Sequence, residues 1–374
     1  MVLLLKKNGL NKSFFSYSFL GEYMKKLFFI LLLFIPIKVF SIDTSATSAI
    51  LIDTDSGRIM YSKNIHDKRS VASISKIMTA VIAIESGKLD DVVTVGDEVL
   101  DAYGSGIYIK ENEHISLRDL VYGLMLRSGN DAALAIARYV GGDVDNFVSM
   151  MNDKALELGM KNSVFNNPSG LDEEDSGNIS TAYDMSLLIS YAIHNEEFKN
   201  IVSTKKHVVH TDMNHYSWIN KNKLLFSYKF CTGGKTGYTV KARRTLVTTA
   251  SRDGLNLAVV TLNDGNDFFD HTNLFEYGFS NYTNYKILSS GVINIPDDSN
   301  SDKEMYIEND YFYPLLQDEV DSILIKYKLD KNSGVIEVYL GDKLLHTEDI
   351  LVRDKVVYKK SFFDKLKGWF KHDE

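Results

Sequence analysis

One cysteine, Cys231, leaves the chain without any internal disulfide framework. Four prolines, no internal repeat and no low-complexity tract in 374 residues exclude a linker-rich or solenoid protein. The nine histidines and single cysteine show no spacing typical of a zinc site, so neither a metal nor a cofactor is expected. The apolar run Leu27–Ile35 is too short for an ordinary transmembrane helix. Positive charge is also scarce: 42 Lys and Arg face 50 Asp and Glu, for a net −8. Residues 1–41 hold six lysines and one glutamate, so the remainder stands at −13. Phosphate binding needs clustered cations, so a nucleic-acid partner is excluded.

What is present is a globular composition, 44% apolar and 25% charged, long enough for two or three domains. Met24-Lys25-Lys26, the run Leu27–Ile35, and small residues at Val39 and Ser41 read as a secretory signal peptide with Met24 as the true start. Residues 1–41 are therefore assigned to a leader, and the protein is expected to be exported. The expected site of action is the periplasm or the outer face of the cytoplasmic membrane.

Thr47 to Lys63 reads as a hairpin: apolar Ala49–Ile52, a turn at Asp55-Ser56-Gly57, then Ile59-Met60-Tyr61. Residues 74–86 are apolar nearly all round, as in a helix buried inside a domain. Ser116 starts a helix through Leu126, and another runs from Asn130 to Gly141-Gly142. Further helices are expected near 143–159 and 180–195. Strands then follow from 232, with a hairpin of Thr245–Ala250 and Leu255–Leu262, and a closing helix from Leu274 to Tyr282.

Strands, helices, then strands suit an α+β domain: one antiparallel sheet made from both ends, flanked by helices, with a helical lobe inserted. This domain is assigned to 42–284. Short alternating segments such as Ser322–Leu329 and Val335–Leu340 assign a small all-β domain to 285–358, with a polar loop at Asp297–Asp302.

Residues 359–374 form a third unit. Phe362, Phe363, Leu366, Trp369 and Phe370 share one helical face, and Asp364, Lys365, Lys367 and Lys371 the other. Such a helix suits a membrane interface, and its alternative is docking on its own domain.

Three short motifs carry chemistry: Ser73-x-x-Lys76 at the start of the buried helix, Ser128-Gly129-Asn130 between two helices, and Lys235-Thr236-Gly237 opening a strand. Singly they are weak, since Ser-x-x-Lys arises by chance about once or twice in such a chain. Together they make a site. Residues i and i+3 share a helix face, so Ser73 meets Lys76. A serine hydroxyl needs an adjacent base. Lys76 serves as one if burial and a second cation, Lys235, lower its pKa. Ser128 can relay a proton to the leaving amine, and Asn130 can orient Lys76 or the substrate. Lys235 and Thr236 can bind a substrate carboxylate. The N–H of Tyr238, after Gly237, joins the helix N-terminus as an oxyanion donor.

These motifs, with Asp55-x-Gly57, Leu126-x-Ser128-Gly129-Asn130-Asp131, Asn167-Pro168-x-Gly170-Leu171-Asp172 and Lys235-Thr236-Gly237-Tyr238-Thr239, resemble the low-molecular-mass penicillin-binding D-alanyl-D-alanine carboxypeptidases. The likeness spans about 47–283 and continues more weakly to the C-terminus. It implies a β-lactamase/transpeptidase-like fold and release of the terminal D-Ala from peptidoglycan pentapeptide stems through an acyl-enzyme on Ser73. It also implies covalent capture of β-lactams and attachment to the membrane surface by the terminal helix. Some members place a carboxylate-binding Arg downstream of Lys-Thr-Gly. Here no Arg occurs from 253 to 352, and Arg243 or Arg244 is expected to compensate.

Two other readings compete. A β-lactamase of this fold would need a general-base Glu near Val164, where the sequence reads Asn162-Ser-Val-Phe-Asn-Asn-Pro168, with Glu173 and Glu174 only later. A non-catalytic cell-wall-binding scaffold would need no intact motif set.

Overall fold

β-Branched and aliphatic runs at the two ends of the first 280 residues find each other in the computed structural model, which describes residues 42–172, 177–293, 303–330 and 333–355. The expected leader, Glu173 and Glu174, the Asp297–Asp302 loop and the amphipathic tail lie outside the described residues. From Thr44 onward the chain forms one compact unit.

Its main sheet has five antiparallel strands: β1 (Ser48–Asp53), β2 (Ile59–Lys63), β3 (Cys231–Thr239), β4 (Arg243–Arg252) and β5 (Leu255–Leu262), in the order β2-β1-β5-β4-β3. Ile50 faces Val260, Val260 faces Val247, and Val247 faces Lys235, so one row of residues crosses the sheet from β1 to the edge strand β3, while the register shifts at Leu51/Ile52 in the first hairpin and at Thr249/Ala250 beside β3. Every residue of β1 is buried, which is why it reads as a continuous apolar run rather than an alternation.

The inserted lobe is helical. A 3₁₀ turn, Ala72–Ser75, leads into α1 (Lys76–Glu85), buried through Ile84. Around it pack α2 (Leu117–Tyr122), α3 (Asn130–Gly141), α4 (Val144–Glu157), α5 (Ala182–Ile193) and α6 (Glu196–Ser203). Ser116 caps α2 by accepting from the Asp119 N–H, as the sequence suggested, but the helix gives way to a π turn at Gly123–Arg127. The principal core joins Ile77, Leu120, Ile136, Phe147 and Leu188 of the lobe to Ile50 and Val260 of the sheet.

After the short α7 (Leu224–Ser227), the closing helix α8 (Asp267–Asn281) packs on β4 and β5. It begins seven residues before the expected Leu274. Its buried face is Asp267, Asp270, His271, Leu274, Phe275 and Gly278, so polar side chains hide the first turns of an otherwise regular helical period.

The chain then builds β6 (Tyr282–Leu288), β7 (Gly291–Val292), β8 (Lys303–Ile307), β9 (Tyr311–Leu316), β10 (Ile323–Asp330), β11 (Ser333–Leu340) and β12 (Lys343–Asp354). β6 pairs with β9, and the others form a sheet in the order β7-β8-β12-β11-β10 around Leu288, Ile307, Ile336, Val338 and Ile350. Arg58, in the turn between β1 and β2, joins this region to the main sheet. Its guanidinium binds both oxygens of Glu319 at 2.6 and 2.8 Å and the Pro314 carbonyl at 2.7 Å. It lies over the rings of Tyr282 and Tyr313. The architecture is α+β, as the order of elements implied.

Candidate active site

The turn that carries Ser73 is tight. Ala72 takes φ 51°, a left-handed value that costs a non-glycine residue about 1–2 kcal/mol. Strand β3 closes against this turn because position 237 has no side chain. A Cβ on Gly237 would lie 2.3 Å from Thr245 Oγ1 and 3.1 Å from the Ser73 nitrogen. The motif glycine therefore lets an edge strand, with unpaired backbone groups on one side, approach the turn.

Lys76 is fully buried. Its Nζ lies 3.1 Å from Ser73 Oγ and 2.6 Å from Asn130 Oδ1, and it donates to the Ser169 carbonyl. A neutral amine has two hydrogens and one lone pair. Asn130 and Ser169 take the hydrogens, which turns the lone pair toward the Ser73 hydroxyl. Burial, reinforced by the nearby Lys221 cation and opposed by Asp131, brings the Lys76 pKa down to about 7. The arrangement can accept a proton from Ser73 near neutral pH.

Lys235 is buried as well. Its Nζ donates to the Thr236 carbonyl at 2.6 Å. Burial, then Lys76 and Lys221, holds its pKa well below the ordinary lysine value. Thr236 is half-buried, and Tyr238 is 61% exposed at the strand's end.

Asn130 is fixed at both ends of its amide, with Nδ2 donating to the Tyr103 carbonyl at 2.6 Å. The adjacent Asp131 accepts from the Ile107 and Tyr108 N–H groups, at 3.0 and 2.6 Å. These bonds shape the 103–108 loop around a 220 Å³ cavity beside Asn130, lined by Val99, Tyr103, Ser105, Tyr108 and Asp131. Ser128 is buried in the left-handed region at φ 63°, and among the described residues its hydroxyl enters no hydrogen bond with Lys76, Ser73 or Lys235.

Two contributors had no signal in the motifs. Ser169 acts through its carbonyl, held in place by Asn167, whose Oδ1 accepts from the Gly170 N–H at 2.6 Å. Gly170 has to be glycine: at φ 76° a Cβ would lie 2.1 Å from the Ala72 carbonyl. Lys221 is the other. It donates to Ser105 Oγ at 3.2 Å. Its backbone N–H binds the Leu126 carbonyl at 3.0 Å, while Asn222 Nδ2 binds the Gly233 carbonyl at 3.2 Å. Asn220-Lys221-Asn222 thus ties the Ser128 segment to β3. The polar trio after an aromatic strand was its one trace in the sequence.

Arg244 does not fill the carboxylate-binding role expected of it. Its guanidinium binds both oxygens of Asp267, at 2.6 and 2.7 Å, and lies over Phe268. Neighbouring Thr245 faces the Ser73 turn, bonding the Val71 carbonyl, so strand alternation sends Arg244 to the α8 side. Arg243 is exposed, with φ 60°. Cys231 is half-buried, and burial pushes its thiol up to about 11, which keeps it protonated. Among the described residues no group of three or more His, Cys, Asp or Glu is placed to hold a metal, and no helix is long and apolar enough to cross a membrane. The proposed anchor residues Phe362, Phe363, Leu366, Trp369 and Phe370 lie outside the described residues.

Comparison with known proteins identifies the family and the fold. A model of the D-alanyl-D-alanine carboxypeptidase family, peptidase family S11, matches residues 37–266. The carboxypeptidase DacF of Bacillus subtilis is 30% identical over 308 residues, covering 80% of this chain and 77% of that one. The carboxypeptidase DacD of Escherichia coli is 32% identical over 362 residues, covering 87% and 90%. Among solved structures, penicillin binding protein 6B from Escherichia coli superposes with a TM-score of 0.68 at 30% identity, covering 84% of this chain and 97% of that one. Penicillin binding protein 5 from Haemophilus influenzae gives 0.71 at 26% identity, covering 84% and 98%.

Proposed function

This chain belongs to the D-alanyl-D-alanine carboxypeptidase family and is a serine-type D-Ala-D-Ala carboxypeptidase, and we propose that Ser73 is its nucleophile and Lys76 the base that activates it. The observation that carries the assignment is the Lys76 amine, buried, 3.1 Å from Ser73 Oγ, with its other acceptors already in place. Ser73 attacks the carbonyl of the penultimate D-Ala in a peptidoglycan stem, and its proton passes to Lys76. The Ser73 and Tyr238 N–H groups receive the developing oxyanion. Ser128 carries a proton to the departing D-Ala nitrogen, and water then releases the acyl group. Lys235, Thr236 and the exposed Arg243 receive the substrate carboxylate, and Asn130 orients Lys76. β-Lactams acylate the same serine.

We place the protein outside the cytoplasm, delivered by the Met24 leader. Residues 42–284 are read as the catalytic domain and 285–358 as a β domain, with 359–374 as a helix resting on the membrane through Phe362, Phe363, Leu366, Trp369 and Phe370. A chain cut after Tyr358 should lose membrane fractionation, and equal fractionation would remove the anchoring role. The test of the reaction is mass spectrometry of a pentapeptide muropeptide after incubation. Loss of one alanine is expected with the parent enzyme and none with Ser73→Ala. Equal loss with both would refute the assignment.

A further inference from the structure

A second cluster of functional groups sits on the hairpin Lys206–His210/His215–Ile219, which the reaction does not use. His210 and His215 are direct cross-strand partners at its tip. Their Nδ1 atoms are 2.8 Å apart, and the rings meet edge to face with centroids at 4.0 Å. Both side chains are exposed. The intervening turn is fixed: Thr211 and Asn214 bond each other through main chain and hydroxyl, and the Thr211 hydroxyl donates to Glu113. Asp212, in that turn, accepts from the His114 N–H at 2.9 Å and pairs with its ring. The strand behind is anchored by buried Trp218 and by Tyr216, whose hydroxyl binds Glu113.

From this geometry we propose that His210 and His215 form a two-histidine chelate for a divalent late transition-metal ion. Metal–imidazole bonds of about 2.0–2.1 Å hold adjacent ligand nitrogens roughly 2.9–3.4 Å apart, close to the separation already present. Two neutral imidazoles facing each other share one Nδ1 hydrogen; when the donor ring tautomerises through solvent to carry that hydrogen on Nε2, both Nδ1 lone pairs are free and a cation replaces the single hydrogen bond with two coordinate bonds. Imidazole ligands select copper, zinc and nickel rather than calcium or magnesium, which require oxygen cages. The rigid turn supplies the preorganisation, and solvent completes the coordination. Four residues separate the two ligands across a turn, as in the histidine half of a structural zinc site, but no matching second ligand pair accompanies them in the sequence, so the spacing alone pointed to no zinc site.

The test is titration of the untagged full-length protein with Cu²⁺ in a Trp369→Phe background, following the fluorescence of Trp218, three residues beyond His215. Saturable quenching is expected. His210→Gln and His215→Gln should each raise the half-saturation concentration about tenfold or more, and His114→Gln should barely move it. Zn²⁺ should raise the Tm of the parent and leave that of either histidine variant unchanged. Retained D-Ala release shows that the variants are folded. Identical quenching curves for the parent and both variants would overturn the proposal. So would an equal loss in His114→Gln, which would move the cation to the Asp212 side.

Discussion

Lys76 Nζ lies within hydrogen-bond reach of Ser73 Oγ, Asn130 Oδ1 and the Ser169 carbonyl, and none of the three partners is a carboxylate. No counter-charge touches Nζ: burial and the Lys221 cation oppose a positive charge there, and Asp131 favours one from farther off. The neutral form is the reactive one. Acylation by a penicillin should therefore rise with pH through an apparent pKa of about 7 and level off above it. Lys76→Met should lower the rate by about 10²–10⁴-fold. A rate that falls as pH climbs through this range would contradict the assignment.

Lys221 lowers the Lys76 pKa through space. Lys221→Met removes that cation, so the Lys76 pKa should go up and the rising limb of the pH–acylation profile should move to higher pH. Stopped-flow acylation from pH 5 to 10 measures this. A limb that stays in place, or moves to lower pH, would show that Lys221 is only structural.

Gly237→Ala places a methyl group 2.3 Å from Thr245 Oγ1 and 3.1 Å from the Ser73 nitrogen. Strand β3 must move outward. Thermal unfolding should show a loss of about 1–3 kcal/mol, typical of overpacking. Penicillin labelling should slow far more than that loss explains, because the oxyanion donors separate. Unaltered labelling would mean that Gly237 is not needed for the close approach.

Arg243→Gly separates strain from function. Glycine accepts φ 60° freely, so the substitution should leave stability unchanged or raise it by up to about 1 kcal/mol. If Arg243 holds the substrate carboxylate, KM should increase about tenfold or more, the worth of a charge-assisted hydrogen bond. An unchanged KM would return the role to Lys235 and Thr236 alone.

Near the start of the described chain, the Ser45 hydroxyl lies 2.6 Å from Asp264 Oδ1 and 2.8 Å from Asp270 Oδ2. One hydroxyl hydrogen faces two carboxylates, an arrangement that favours a proton shared between them. Burial, then the Asp264 charge, raises the Asp270 pKa against the lowering effect of Ser45. A carboxyl with a raised folded-state pKa contributes stability that is fully present below its unfolded value and is lost as pH rises through the folded one. Asp270→Asn removes this titration, so its Tm relative to the parent should improve as pH rises from 4 to 8. Parallel Tm–pH curves would exclude the shared proton.

The main sheet and central helix were legible because their residues are apolar throughout Ala49–Ile52 and, but for Thr79, throughout Ile77–Ile84. The hairpin of 206–219 was not: its covered positions alternate, but each strand is five residues long and buries one residue fully, Val209 or Trp218, with exposed Val208 and Ile219 blurring the alternation in the sequence. The early start of α8 was masked by Asp267, Asp270 and His271 on its buried face. In the site, Ser73, Lys76 and Asn130 were readable because local helix geometry and short motifs place them. Lys221 reaches the other lysines only through tertiary folding, and no spacing in the chain encodes that. Between the two expected arginines, Arg243 and Arg244, the sequence could not choose: strand alternation fixes the face of a side chain, but the partner that captures Arg244, Asp267, comes from another element.

Arg58 makes the joint between the main sheet and the strands from Tyr282 onward stiff, because one guanidinium is gripped by a carboxylate, a carbonyl and two aromatic rings. A stiff joint passes on torque. A load on the strands from Tyr282 to Asp354 therefore reaches the main sheet, and these strands act as a lever arm rather than a tether.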